Sequence, residues 1–463
     1  MQYVSTRGEA PELGFEDVLL TGLARDGGLY VPKSWPQISA DELRDLRGRS
    51  YQDVAVHVVS KFTGSAIPQS DLKQMIAEAY ATFGHPAVTP LKQMDANQWL
   101  LELFHGPTLA FKDVAMQLLA RLMDWSLKKR ASRVIIVGAT SGDTGGAAID
   151  AFKGSRNATT VILHPHGRVS DVQRRQMTTV MSPAIHNIAI EGNFDDCQAI
   201  VKALFNDLKF RDSVNLAGVN SINWARIMAQ VVYYVSSAVA LGAPDRRVSF
   251  CVPTGNFGDI FAGYTAKRMG LPIDRLVIAT NLNDILDRTV KTGRYEMRGV
   301  KPSSSPSMDI QVSSNFERLL HEAYGRDAAA IRGLMAGLSQ SGAFSIGQRE
   351  LAAIRGEFDS FAANEAETAE TIARTLKATG ELLDPHSATG FAAALRAKAS
   401  NSAMITLATA HPAKFPDAVE KASGVRPHLP QRLSHLLNAK ERFTMLPNSA
   451  TAVREFILAL DKA

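Results

Sequence analysis

The chain has 463 residues, enough for two or three domains around a substantial core, and its 45% hydrophobic and 21% charged composition is that of an ordinary globular protein. Its net charge of +5 is not gathered into a basic stripe: Lys128-Lys129-Arg130, Arg174-Arg175 and Arg246-Arg247 are short and flanked by apolar or acidic residues, which argues against a nucleic-acid partner. Cys197 and Cys251 have neither pair nor metal-ligand spacing, and neither an apolar leader nor a run of about 18 apolar residues is present, so the expectation is a cytoplasmic protein with no metal and no membrane partner.

Taken in order, the chain first shows a glycine turn into a short extended run, Asp26-Gly27-Gly28-Leu29-Tyr30-Val31-Pro32. Helical patterns follow over residues 51–63 and 70–83, and residues 1–95 read as an α-rich N-terminal domain. The run Phe104-His105-Gly106-Pro107-Thr108-Leu109-Ala110-Phe111-Lys112-Asp113 then leads into a helical pattern with Ala115, Leu118, Leu119, Leu122 and Met123 on one face. Lys112 is expected near the start of that helix among apolar neighbours. Burial and the positive helix end both disfavour an ammonium there, and a neutral, positioned amine suits Schiff-base chemistry. A lysine reaching out from a helix end satisfies the same pattern.

Beyond Lys112, β-branched runs predict strands at residues 133–137, 159–163, 186–190, 248–252, 276–279 and 404–408, with a helix over 195–208. Strands alternating with helices imply an α/β protein with right-handed crossovers and mostly parallel, covered sheets. Ser303-Ser304-Ser305 between Pro302 and Pro306 reads as a surface loop.

In such sheets ligands bind beyond the carboxyl ends of strands, and three loops there have unusual composition. Gly138-Ala139-Thr140-Ser141-Gly142-Asp143-Thr144-Gly145-Gly146 combines glycines, hydroxyls and a helix start, which favours an anion but also fits a plain turn with an Asp or Thr cap. It is neither a P-loop nor the Rossmann fingerprint. Pro253-Thr254-Gly255-Asn256-Phe257-Gly258-Asp259 can wrap a phosphate with backbone donors. Thr409, in Thr409-Ala410-His411-Pro412, sets a hydroxyl past a strand, where it either meets a heterocycle edge or serves the turn. A lysine, phosphate-type loops and a hydroxyl together match the three handles of pyridoxal phosphate: aldehyde, phosphate and ring nitrogen.

These segments, with Asn220-Ser221-Ile222-Asn223-Trp224-Ala225-Arg226, Ser305-Pro306-Ser307-Met308-Asp309-Ile310 and Thr409 to Phe415, resemble those of threonine synthases. Those are fold-type-II pyridoxal-phosphate enzymes of the tryptophan synthase β-subunit superfamily. The resemblance implies an N-terminal domain over 1–95, a small mobile α/β domain over 113–235, and a large cofactor-binding α/β domain from 96–112 and 236–463. It implies that Lys112 carries the cofactor as a Schiff base and shuttles protons. It also implies that Gly255, Asn256, Phe257, Gly258 and Asp259 surround the cofactor phosphate, and that Thr409 meets the ring nitrogen. Asp143 falls where many relatives have an asparagine beside the ring hydroxyl, so its protonation is open at this point. The implied reaction is O-phospho-L-homoserine plus water to L-threonine plus phosphate. Thr140, Ser141 and Thr144 are then expected on the substrate α-carboxylate. Ser170, Asn220, Ser221, Asn223 and either Arg174 or Arg175 are expected on its phosphate; the two arginines differ by about 100° in facing on a helix, so one at most should point inward. His105, Asp113, Trp224 and His411 lie in the same motifs and are expected to be structural. The resemblance leans toward a monomer. The alternative within the family is a phospho-lyase releasing 2-oxobutyrate, ammonia and phosphate.

Overall fold

The computed structural model describes residues 1–397 and 402–461. Residues 398–401 and 462–463, which the expected large domain also includes, lie outside the described residues.

The N-terminal part is built on a three-stranded antiparallel sheet, with Gln2–Ser5 between Leu13–Gly14 and Tyr30–Pro32. The glycine turn at Asp26 is held by its carboxylate, which accepts from the Gly28, Glu9 and Ala10 N–H groups, all at 2.9 Å. Helix Tyr51–Thr63 is capped by Ser50 and buries Val54, Ala55, Val58, Val59 and Phe62 on one face. The next helix, Gln69–Tyr80, stops three residues before the expected end.

Six strands form the larger sheet, in the order Phe358–Ala362, Ile273–Thr280, Val248–Pro253, Ala403–Ala408, Gln98–Glu102 and Leu91–Gln93. All pairs are parallel except the last. The expected boundary after residue 95 cuts the hairpin between the last two strands. Asp95 closes that hairpin by accepting from Asn97 N and Gln98 N at 2.8 Å, so the larger sheet begins at Leu91.

The smaller sheet is entirely parallel, in the order Thr444–Pro447, Ile185–Glu191, Ala158–Pro165, Val134–Ala139 and Leu216–Ala217. Its first strand comes from within residues 236–463, whose other strands in the two large sheets lie in the larger one. Helix Ala450–Asp461 follows that strand, and Val453 and Ile457 bury into the core of the smaller sheet. The helix expected over 195–208 is instead two, Phe194–Asn206 and Leu208–Ser213. Asp207, at ψ 89°, leaves helical geometry and caps the second through Phe210 N at 3.0 Å.

Three helix or loop starts thus converge at strand carboxyl ends: after Val134–Ala139, after Val248–Pro253 and after Ala403–Ala408. Among the described residues no helix is long and apolar enough to cross a membrane, and no cluster of three His, Cys, Asp or Glu could hold a metal ion.

Candidate active site

Asp113 shapes the approach to Lys112. Its carboxylate accepts from the Thr108 N–H at 2.8 Å and the Thr108 hydroxyl at 2.6 Å. It lies so close to Gly106 that a Cβ there would come within 2.4 Å. Burial pushes this carboxyl up to about 6. The chain then turns at Leu109, φ 62°, and runs antiparallel to the segment carrying Thr409. Phe111 N donates to Thr409 O at 2.8 Å and His411 N to Leu109 O at 3.0 Å. Lys112 is therefore locked beside Thr409 as the first residue of helix Lys112–Lys129.

Lys112 is buried, with its Nζ 3.2 Å from Asp143 Oδ2. Burial pushes its pKa below the ordinary lysine value; Lys414 and Arg226 add to this, and Asp143 opposes it. Asp143 opens helix Asp143–Phe152 and is buried with both oxygens engaged. Oδ1 accepts from Lys414 Nζ at 2.8 Å and Gln173 Nε2 at 2.9 Å; Oδ2 accepts from Lys112 and from Ser307 Oγ at 3.0 Å. Burial alone would raise this carboxyl, but Lys112 and Lys414 hold it well below the carboxylate range. Its two lysine partners thus favour the ionised form.

The loop after Val248–Pro253 presents backbone donors. Gly255 O is taken by Ser313 Oγ at 2.7 Å, and Asn256 O by both N and Nδ2 of Asn315 at 3.0 Å. Phe257 sits at φ 64°, which turns the chain into helix Gly258–Arg268. A Cβ on Gly255 would come 3.0 Å from Ser307 O. With those carbonyls engaged elsewhere, the N–H groups of Gly255, Asn256, Phe257 and Gly258 have no acceptor among the described residues. Four such donors at a helix start form a cradle for an anion. Asp259 is turned toward Tyr233 and Tyr234, whose hydroxyls both donate to its Oδ1, and burial pushes its carboxyl up to about 6. Arg226 is buried nearby, and its Nε has no protein partner among the described residues.

Both backbone groups of Thr409 are fixed, by Phe111 N and by Ser387 Oγ at 3.0 Å, while its hydroxyl has no protein partner among the described residues. Lys112, Thr144, Gly255 to Asp259, Arg226, Asn220, Ser221, Ser307, His386 and Thr409 all line one cavity of about 1060 Å³. The residues that carry these donors, the amine and the hydroxyl thus line one space.

The chain matches the family models "Threonine synthase N terminus" over residues 2–80, "Pyridoxal-phosphate dependent enzyme" over 82–407 and "Threonine synthase, C-terminal" over 387–457. It is 54% identical over 459 residues to the threonine synthase of Pseudomonas aeruginosa, covering 99% of this chain and 98% of the other. The solved structure of PLP-bound threonine synthase from Brucella melitensis superposes with a TM-score of 0.98 at 62% identity, covering both chains fully. That of yeast threonine synthase superposes with 0.94 at 40% identity, covering 99% of this chain and 98% of the other. The chain belongs to the threonine synthase family.

Several residues expected around a threonine synthase substrate are committed elsewhere. Arg174 is held by Glu441 Oε2 at 2.9 Å and Asp171 Oδ1 at 2.5 Å, and Arg175 donates to the carbonyls of Leu436 at 3.2 Å and Ala439 at 3.4 Å. Neither arginine lines the cavity; both tie helix Asp171–Thr178 to the C-terminal segment. Ser170 caps that helix and donates to Gln173 Oε1 and to Lys414 O. Asn223 caps helix Trp224–Ala240 through Ala225 N at 3.0 Å and donates to Leu19 O at 2.9 Å. The Thr140 hydroxyl accepts from Gly142 N and Gly145 N at 2.9 Å. Ser141 is half-buried and does not line the cavity.

The motif residues expected to be structural have structural partners. His105 Nε2 lies 2.7 Å from Glu102, and Trp224 packs among Tyr3, Trp35 and Phe62. His411 Nδ1 accepts from Ala413 N at 3.1 Å, and burial lowers its pKa to about 4. Ser307, Gln173, His386, Arg226 and Lys414 were missed as site residues. Asp384-Pro385 ahead of His386 is a readable helix start, and Asp384 accepts from His386 Nδ1 at 2.7 Å. That bond makes Nε2 the acceptor for Ser307 N at 3.2 Å.

Proposed function

We propose that this chain makes L-threonine and phosphate from O-phospho-L-homoserine and water, with Lys112 as both cofactor anchor and proton carrier. The observation that carries the assignment is the single cavity where Lys112, the four free N–H groups of Gly255 to Gly258 and the Thr409 hydroxyl meet. That donor set fits pyridoxal phosphate: an amine for the aldehyde, a cradle for the phosphate and a hydroxyl for the ring nitrogen. When bound, this cofactor supplies the electron sink that acidifies hydrogens next to the substrate amino group.

Gly255, Asn256, Phe257 and Gly258 hold the phosphate end, with the buried Arg226 guanidinium adding positive charge. Thr409 orients the ring without forcing a proton onto it, because a hydroxyl serves as donor or acceptor. Asp143 stays ionised beside Lys112. Lys112, being buried and at a helix start, gives up its proton readily; it takes a proton from Cα and one from Cβ of the substrate in turn and delivers one to Cγ, where the C–O bond breaks and phosphate leaves, and one to Cα, while water places its hydroxyl on Cβ and gives its other proton to the released phosphate. The wall formed by Thr144, Asn220 and Ser221 supplies neutral donors to the anionic substrate.

We also propose three units, with residues 444–461 assigned to the small one, and a monomer, toward which the resemblance to threonine synthases leans. The test of the reaction is phosphate release from O-phospho-L-homoserine with the organic product quantified. Threonine equal to phosphate is expected; 2-oxobutyrate as the main product would make the chain a phospho-lyase instead.

A further inference from the structure

Lys112 faces a difficulty built into its own surroundings. A carboxylate 3.2 Å away holds a lysine as its ammonium, yet a lysine that anchors a carbonyl or accepts a proton must be neutral. Lys414 resolves this. Its side chain is 0% exposed, and its Nζ lies 2.8 Å from Asp143 Oδ1 and 2.7 Å from Thr108 O. It therefore sits on the oxygen of Asp143 that Lys112 does not use, at the shorter of the two distances. We propose that Lys414 is the standing counter-ion of Asp143, a positioning residue that leaves Lys112 free to give up its proton. The inference rests on the reading of Lys112 as anchor and proton carrier.

Charge arithmetic shows why. With Lys414 in place, Asp143 and a neutral Lys112 form a buried group with no net charge. Without Lys414, the same state buries an unbalanced carboxylate, which is strongly disfavoured. Asp143 would then keep Lys112 protonated. The other charged groups around the pair do not replace Lys414. Arg226, from helix Trp224–Ala240, is buried by the cavity but makes no ion pair with Asp143 among the described residues. His386, from helix Pro385–Arg396, acts on Asp143 through space, after Lys112 and Lys414, but is tied to Asp384 and Ser307 and makes no hydrogen bond to Asp143 among the described residues. Asp113, next to Lys112, is turned onto Thr108, and Asp259, from helix Gly258–Arg268, onto Tyr233 and Tyr234. Gln173, from helix Asp171–Thr178, donates to Asp143 without carrying charge. Lys414 and Thr409 belong to one short segment, so the residue proposed to meet the ring and the proposed counter-ion are placed together.

The test reads Lys112 directly in the full-length, cofactor-free protein. Carbamylation of Lys112 by cyanate is followed against pH by peptide mass spectrometry, with circular dichroism confirming the fold of each variant. Lys414→Gln, which keeps a donor but no charge, and Lys414→Met should move the Lys112 profile up by about one pH unit or more, which is about tenfold slower modification on its lower limb. Asp143→Asn should move it down. The double variant Asp143→Asn/Lys414→Met should return it close to wild type, because the pair's charges leave together. Lys414→Arg should stay near wild type. An unmoved profile in Lys414→Gln, or a double variant no closer to wild type than Lys414→Met, overturns the proposal. If one Lys414 variant fails to fold, the other and the double variant decide it. The readout needs no turnover: threonine formation with an unmoved profile removes only this inference, while a moved profile without threonine removes only the reaction assigned above.

Discussion

Phe257 stands in a left-handed conformation, φ 64°, that side-chain-bearing residues avoid at a cost of about 1–2 kcal/mol. Its ring holds it there, packed 5.3 Å from Phe316 and 5.8 Å from Phe358 between centroids. Phe257→Gly would relieve the backbone but lose about 3–5 kcal/mol of core packing. Packing wins, and denaturant titration should show a net loss of about 1–4 kcal/mol. Asp259 gives a pH signature of its own. Its folded pKa of about 6 lies above the ordinary 3.8, so the folded protein binds the extra proton and stability falls as pH rises from about 4 through 6. Asp259→Asn should flatten that part of the Tm-against-pH curve of the cofactor-free protein. At this scale Lys112, Thr409 and the Gly255–Gly258 loop were legible in the sequence, since each is a local pattern after a strand. Lys414 was visible only as part of a motif string. Its role depends on a carboxylate at position 143, and no local pattern connects two positions so far apart. The choice between Arg174 and Arg175 was undecidable for the same reason: helical facing says where a side chain points, not that Glu441 waits there.

Among elements, Gln98–Glu102, Phe358–Ala362 and Leu216–Ala217 were not legible, but six other parallel strands were, because buried strands read as apolar runs. Thr444–Pro447 was not, since its residues are exposed or half-buried and its place is set by pairing with Ile185–Glu191. The lead into that strand is fastened by Glu441, which accepts from Arg174 and, at 2.7 Å, from the Thr178 hydroxyl. The hydrogen bond from Arg174 is the main reason Glu441 is held at about 2, below its ordinary 4.5. Its contribution is therefore full above about pH 4.5 and lost as pH falls toward 2. A partly exposed pair contributes about 1 kcal/mol or less. Glu441→Gln should accordingly lower amide-exchange protection across Thr444–Pro447 by roughly fivefold or less at neutral pH, and acidification should do the same to the wild type. Unchanged protection would show that pairing with the sheet alone holds the strand.

For the whole molecule, the cavity of about 1060 Å³ draws walls from the N-terminal part and from both sheets, with residues as far apart in sequence as Arg7 and Thr409. A ligand there should stabilise all three together. Removing pyridoxal phosphate is expected to lower Tm, by an amount equivalent to about 2.7 kcal/mol when the loaded sample holds free cofactor at one hundred times its Kd. A calorimetric scan with and without cofactor measures it, and a single transition that shifts as a unit is expected. The placement of Thr444–Pro447 also matters while the chain is being made. Its partner strand ends at Glu191, about 250 residues earlier, so at 5–20 residues per second the ribosome takes roughly 10 to 50 seconds to supply it. Throughout that interval the nascent smaller sheet carries an open hydrogen-bonding edge, the kind of surface to which other chains add. The same late strand that completes the fold thus sets a window in which chaperone cover decides the yield of native protein.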